Sequence, residues 1–181
     1  MSAAWVAGVT RARGMLVRRP GIPGARRIAA ARTLDEALRD LTTTPYCRHL
    51  ASGASLPTAQ RSVTAALLWH LRVLAGWLPQ RGVECLRLLA SGFEIANIDT
   101  HFRRLSRGGE APPPYAMGAL ATVWGRLARS SEPEALRAAL AASPWRDPGG
   151  TAAAMAVTLR LTAAARIAAR GTTRGALVGG P

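Results

Sequence analysis

A proline-free stretch, residues 80–106, constrains the fold of this chain more than any other segment. Its apolar residues recur at helical spacing, and as one helix it would span roughly 40 Å at about 1.5 Å per residue. Gly108 and Gly109 then end the pattern, because glycine readily adopts the conformation that closes a helix. A helix of this length needs a partner along its whole length. The apolar stretch 56–78, followed by a turn at Pro79, therefore predicts a long antiparallel helix pair.

The rest of the chain also favours helix. Ala, Leu and Arg dominate its 181 residues, strand-forming residues are sparse, and 49% of the chain is hydrophobic, which is enough for a core. We predict an all-α fold, a helical bundle with a repeated unit. The expected divisions are a first unit over 1–109, a Pro-rich linker over 110–114 and a partial second unit over 115–181 whose C-terminus, from 171, is frayed.

Apolar spacing and capping residues predict further helices within these two units. Residues 3–19 and 25–32 are predicted to be helical, and a third helix begins after Thr33, where Thr33 and Glu36 have the spacing of a capping box. Residues 115–129 carry apolar side chains at helical spacing and are predicted to form another helix. An alanine-rich helix is expected over 151–170.

One internal similarity predicts a structural repeat. The sequence Glu-Ala-Leu-Arg occurs at 36–39 and again at 134–137, and each copy continues to a leucine and then to a hydroxyl residue, proline and an aromatic residue. These endings are Thr44-Pro45-Tyr46 and Ser143-Pro144-Trp145. The shared ending is less easily accidental than the first four residues in a chain this rich in Ala and Arg.

The charge is strongly basic, with a formal net charge of +14. All 24 basic residues are arginines, and they are spread over the whole chain instead of forming one stripe. This distribution favours a solvated surface shaped by compositional bias. A role toward an acidic partner or anionic lipid is the alternative.

The sequence indicates neither a disulfide framework nor a membrane anchor. Cys47 and Cys85 have no ligand-spaced partners, and the apolar run 151–169 is interrupted by Arg160 and Arg166. We therefore expect a protein of the reducing cytoplasm.

No arrangement typical of catalysis is recognisable. The three histidines lie in different segments, and no glycine-rich phosphate loop or nucleophile motif is present. We expect no catalytic residues, cofactor or metal. The dense polar set near the end of the long stretch is better interpreted as a hydrogen-bonded junction or a partner surface; its members are Glu94, Asn97, Asp99, His101 and Arg103.

Three of these features together resemble a known family. They are the sequence Val-Thr-Arg-Ala-Arg at 9–13, the helix ending Thr44-Pro45-Tyr46, and the pattern Glu94-x2-Asn97-Ile98-x4-Arg103. This combination resembles a component of rotary V-type and A-type ATPases, the one designated C in prokaryotes and d in eukaryotes. The resemblance covers roughly residues 3–150.

The resemblance implies a fold and a role. Members of that family are not enzymes; they form an all-α funnel on the membrane-embedded proteolipid ring and receive the foot of the rotor shaft, so that ATP hydrolysis is coupled to ion movement. It implies those two partners, no small-molecule substrate, and a cytoplasmic protein bound peripherally to the membrane. Members carry three helical units, so this chain would be a truncated form. Glu94, Asn97 and Arg103 would hold the long helix to its neighbours, and Arg72 and Arg104 are candidates for partner contact.

Two alternatives belong to other classes. A basic helical protein that binds nucleic acid through its charge is one, but the dispersed arginines and few aromatic residues make it less favoured. A degenerate paralogue without a coupling function is the other.

Overall fold

The computed structural model describes residues 3–175, with side chains as far as Arg170. These residues form nine α-helices and no strand, so the predicted all-α fold is confirmed. The helices are α1 (Ala3–Arg18), α2 (Gly21–Ala29), α3 (Leu34–Thr42), α4 (Leu56–Ala75), α5 (Gln80–Leu89), α6 (Ser91–Arg107), α7 (Trp124–Leu127), α8 (Pro133–Ala141) and α9 (Ala152–Gly175). Short 3₁₀ turns occur at Pro45–His49 and Gly118–Leu120.

The start of α3 follows from its first residues. The Thr33 hydroxyl accepts a hydrogen bond from the Glu36 N–H at 3.2 Å, as the capping box predicts. The Glu36 carboxylate, however, accepts from the N–H of Arg32 at 2.9 Å and not from that of Thr33. Both bonds satisfy N–H groups that have no partner within the helix.

The expectation of one helix over 80–106 is wrong at its centre. Helix α5 ends at Leu89, α6 begins at Ser91, and the fully buried Ala90 lies between them. The buried Ser91 hydroxyl donates to the carbonyl of Leu88 at 2.7 Å, and Gly92 follows directly. A serine–glycine pair of this kind is a recognised cause of helix interruption, because the hydroxyl competes for a carbonyl of the preceding turn.

The helix predicted over 115–129 is also wrong. Residues 111–117 have no regular secondary structure, and only the 3₁₀ turn and the four residues of α7 are helical in this segment. The apolar residues that suggested a helix are buried all the same; Met117 is 2% exposed, and Leu120 and Leu127 are 0% exposed. Their burial is achieved by an irregular chain whose backbone is held by side chains of α6.

The described chain divides into two compact units, of which the first ends at Val83 and the second begins at Glu84. This division falls earlier than the boundary at 109 expected from the glycine pair, because α6 belongs to the core of the second unit.

The predicted antiparallel pairing of 56–78 with the long stretch stays a prediction. The frayed end expected over 171–181 is helical to Gly175, and residues 176–181 lie outside the described residues.

The first unit is built on α4. Helix α1 and the 3₁₀ turn Pro45–His49 pack against α4, and α2 packs against α3. The centre of its small core is Leu38, which packs with Ala54 and Ala59. The Nε2 of His70 in α4 lies 3.3 Å from the carbonyl oxygen of Pro45, and this contact links the 3₁₀ turn Pro45–His49 to α4.

The second unit is built on α6 and α9. Helix α6 packs against α9, and α7 packs against α8. Its core contains the fully buried Trp145. The other fully buried members of this core are Ile98, Leu127, Leu136, Leu140, Met155 and Leu159.

The turns that end the two copies of the repeated sequence make the same hydrogen bonds. The hydroxyl of Thr44 donates to the carbonyl of Leu41 at 2.7 Å, and that of Ser143 donates to Leu140 at 2.6 Å. Each hydroxyl oxygen then accepts the N–H of the aromatic residue two positions on, at 3.3 Å from Tyr46 and 3.1 Å from Trp145. A short helix, this turn and a long helix thus occur in the same order twice.

Helix Ala152–Arg170 passes a test of length and composition for crossing a membrane, with a mean hydropathy of 1.3. In this structure its buried residues recur four apart and pack into the core of the second unit; they are Met155, Leu159 and Ala163. Only 17% of this span is buried in the structure, and Val157, Leu161 and Ile167 are exposed.

Candidate functional site: a buried polar stripe on α6

Three polar side chains of α6 lie on its buried face. Glu94, Asn97 and His101 are spaced by three and four residues, which places them on one side of a helix. Their exposed fractions are 0%, 3% and 7%, so all three are removed from water. Buried polar groups of this kind are costly unless they are hydrogen-bonded, and each of the three bonds to a distant part of the backbone.

Glu94 holds the segment before α7. Its Oε1 accepts hydrogen bonds from the N–H groups of Thr122 at 3.0 Å, Val123 at 2.7 Å and Trp124 at 2.7 Å, and its Oε2 lies 3.1 Å from the Thr122 nitrogen. Three consecutive N–H groups thus converge on one carboxylate. Hydrogen bonds to a charged acceptor are the stronger kind, and the negative charge also suits the N-terminal end of a helical turn.

Asn97 holds the extended chain at Tyr115. Its Nδ2 donates to the Tyr115 carbonyl at 2.9 Å, while its Oδ1 accepts from the Tyr115 N–H at 2.7 Å. The amide therefore pairs with one residue as a neighbouring β-strand would. The Tyr115 ring also meets Phe93 edge to face, with 5.6 Å between the ring centres.

His101 holds the loop before α8. Its Nε2 lies 3.1 Å from the carbonyl of Ser130, and its Nδ1 lies 3.3 Å from Nη2 of Arg104. A carbonyl only accepts and a guanidinium only donates, so these partners require the neutral ring with its proton on Nε2. Burial lowers the pKa of His101 below 6.5 and the Arg104 charge lowers it further, while the hydrogen bond to Ser130 opposes both.

We call these three side chains together the clasp. It joins α6 to the irregular chain at residues 115, 122–124 and 130, and it explains why that chain does not form the expected helix. The backbone groups that would bond within a helix bond to α6 instead. The clasp offers no free nucleophile or acid–base pair, because its polar atoms are engaged by the backbone and by Arg104.

The other residues singled out in the sequence lie elsewhere. Arg103 pairs with Asp99 one turn earlier on α6, with 3.0 Å between Nη2 and Oδ2 and 59% of its side chain exposed. Arg104 is exposed apart from its contact with His101. Arg72 lies on α4 in the first unit and is half-buried. Of the predicted polar set, the structure thus brings Glu94, Asn97 and His101 together in the clasp, and it places Arg103 on the surface.

The described part of the chain was also compared with the geometry of metal sites. Among those residues no group of three or more His, Cys, Asp or Glu side chains is placed to hold a metal ion. Cys47 and Cys85 are free and exposed.

Comparison with known proteins gives no further assignment, since no family model, no curated protein and no solved structure matches the chain.

Sequence reasoning missed a second polar cluster in the same unit. Arg87 of α5 and Arg166 and Arg170 of α9 line one cleft together with Glu84 and Thr122. The spacing of four between Arg166 and Arg170 on an apolar helix was a usable signal. The approach of Arg87, by contrast, depends on the tertiary structure.

Proposed function

We propose that this protein is a non-catalytic helical adaptor of a rotary V-type or A-type ATPase, which connects the rotor shaft to the proteolipid ring. The observation that carries the proposal is the clasp. Two residues of the pattern that resembles the ATPase family, Glu94 and Asn97, are hydrogen-bonded to backbone groups far along the chain. In this proposal the two residues hold the fold rigid and take no part in a reaction.

Rigidity is the property that a coupling element needs. A part that transmits torque must keep its two binding surfaces in a fixed relation under load, and buried, fully satisfied hydrogen-bond networks fix a segment in one geometry. In the second unit, α6, the 115–130 segment and α8 are joined by such bonds and by a continuous apolar core. The three side chains of the clasp thus hold the unit together.

The repeated architecture also supports the proposal. The family that the sequence resembles is built from copies of one helical unit, and two copies of a helix–turn–helix with matching hydrogen bonds occur here. Three units are the pattern in that family. In this proposal the described residues correspond to two of those units.

The charge supports the proposed location at the cytoplasmic face of the membrane. A net charge of +14 carried only by arginine suits contact with anionic headgroups and with acidic loops of partner proteins. Arg72 and Arg104 remain the proposed partner contacts. Membrane association in this proposal is peripheral.

The test is affinity purification of the tagged protein from its native cells, at moderate salt and with nuclease added, followed by mass spectrometry. We expect rotor-shaft and proteolipid proteins to be recovered, and their loss when salt is raised. A matched purification with Arg72→Glu, a variant outside the clasp, should recover less of them. Recovery of ribosomal proteins alone, or of no ATPase component, would overturn the proposal, and salt-dependent binding of DNA or RNA would then be measured.

A further inference from the structure

The cleft lined by Arg87, Arg166 and Arg170 has a use that the adaptor proposal does not require. It lies within the second unit between α5, the chain at 121–122 and α9, and its volume is about 490 Å³. Pockets that hold small ligands are commonly about 300–1,000 Å³. The cleft is therefore large enough for a small molecule.

The cleft is positively charged, and two of its arginine side chains are held in place by other groups. Three guanidinium groups face one carboxylate, and Glu84 pairs with Arg170. The Nε of Arg87 donates to the carbonyl of Ala119 at 2.8 Å, which orients that guanidinium. After the pairing of Glu84 the local excess is two positive charges, which matches the charge of roughly −1.5 to −2 on a phosphate group at neutral pH better than that of a single carboxylate.

Arg166 is held against the core of the second unit. Its guanidinium lies 5.2 Å from the centre of the Trp145 ring, and its Nη1 is buried without a hydrogen-bond partner among the described residues. A buried N–H of a cation that lacks an acceptor is costly, and such groups are uncommon in folded proteins. Because that nitrogen is packed inside the protein, an anion in the cleft would bind the rest of the Arg166 side chain, which lines the cleft wall.

We infer that this cleft binds the phosphate group of a small molecule or a lipid headgroup. Arginine is suited to this role because its planar fork donates two parallel hydrogen bonds to phosphate oxygens. Arg166 and Arg170 lie four residues apart on one face of α9, and Arg87 faces them from α5. The position of Thr122 on the wall of the cleft is fixed by its bond to Glu94, so the clasp also shapes the site.

The inference is tested on the purified full-length chain by calorimetric titration with pyrophosphate, alongside flotation with vesicles that contain phosphatidic acid. We expect Arg166→Gln to weaken binding by at least about tenfold, because one charged hydrogen-bond partner is lost. Arg160→Gln is the matched control. It lies on the same helix, is exposed, and donates to the carbonyl of Ala156 at 2.8 Å, so it should bind like the wild type.

A second variant tests the sign of the charge effect. Glu84→Gln removes the carboxylate that competes for Arg170 and should strengthen binding several-fold. Binding of pyrophosphate that depends on Arg166 identifies a soluble phosphate ligand, whereas vesicle binding alone that depends on Arg166 identifies a lipid headgroup. If neither probe binds, or if Arg160→Gln weakens binding as much as Arg166→Gln, the inference is overturned. Thermal melting of each variant shows that the loss is not one of folding.

Discussion

Asn97 and the backbone of Tyr115 exchange two hydrogen bonds, of 2.9 Å from the amide nitrogen and 2.7 Å to the amide oxygen. The two residues are separated by a glycine pair and three prolines, so the contact closes a loop that local structure could not close. A side chain that pairs with a backbone in this way satisfies donor and acceptor together. The irregular segment is thereby fixed without forming a helix.

Replacement of Asn97 by leucine should destabilise the protein by about 1–3 kcal/mol, because the N–H and carbonyl of Tyr115 would lose these two hydrogen bonds. Chemical denaturation monitored by far-UV circular dichroism measures the change. Arg103→Ala is the control; its ion pair with Asp99 is largely exposed, and we expect a change below about 0.5 kcal/mol. An unchanged unfolding midpoint for Asn97→Leu would contradict the role of Asn97 in the clasp.

Glu94→Gln should cost about 2–3 kcal/mol, because the substitution keeps the size of the side chain but removes the charge that three N–H groups share. It also turns an NH₂ group toward those donors. Glu110→Gln, at an exposed position, should change stability by less than about 0.5 kcal/mol. Denaturation midpoints measure both, and equal stability of the two variants would show that the carboxylate of Glu94 is not needed.

His101 should make stability depend on pH. Burial holds its pKa below 6.5 in the folded protein, so the stabilising contribution of the neutral ring is fully present above about pH 6.5. As pH falls below that value the unfolded chain binds a proton that the folded chain does not bind, and stability decreases. We expect a lower melting temperature at about pH 5.5 than at about pH 7.5.

The comparison for this effect uses two glutamine variants. His101→Gln should reduce the difference in melting temperature between the two pH values, whereas His49→Gln, at an exposed position, should leave it unchanged. A difference that survives in His101→Gln would assign the pH dependence to other groups.

The repeated turn predicts similar costs at two distant positions. Thr44→Val and Ser143→Ala each remove a hydroxyl that donates to a leucine carbonyl and accepts an N–H, so each should destabilise by about 1 kcal/mol. Thr43→Val removes an exposed hydroxyl that donates to Asp40 and should cost less. Denaturation midpoints of the three variants measure this order, and a cost at only one of the two turns would argue against a shared design.

The helical content and some helix ends, such as the start of α3, were accessible from the sequence, since they depend on neighbours a few residues apart. The cap at Thr33 is of this kind; Thr33 accepts the N–H of Glu36 as expected, although the Glu36 carboxylate bonds to Arg32 instead of Thr33. The hydroxyl–proline–aromatic turns are of this kind too. The helix expected over 25–32 was misplaced, because α2 spans Gly21–Ala29. The interruption at Ala90 was missed because Ser91 and Gly92 are each tolerated inside helices, and only the bond from Ser91 to Leu88 makes the pair decisive. The polar junction was recognised in Glu94 and Asn97, but the partners of these residues were not.

The sequence by itself determined the all-α class, the repeated turn and the polar set on α6, because helical propensity and spacing act over less than two turns. The tertiary structure decided what that set binds and which segments stay irregular. Glu94, Asn97 and His101 reach backbone groups 18 to 30 residues away. Nearly every residue has the same N–H and carbonyl, so nothing in the side chains of 115–130 marks them as acceptors or donors for α6. The sequence also does not show that Arg87 and Arg166 line one cleft, because only the packing of the second unit brings their helices together.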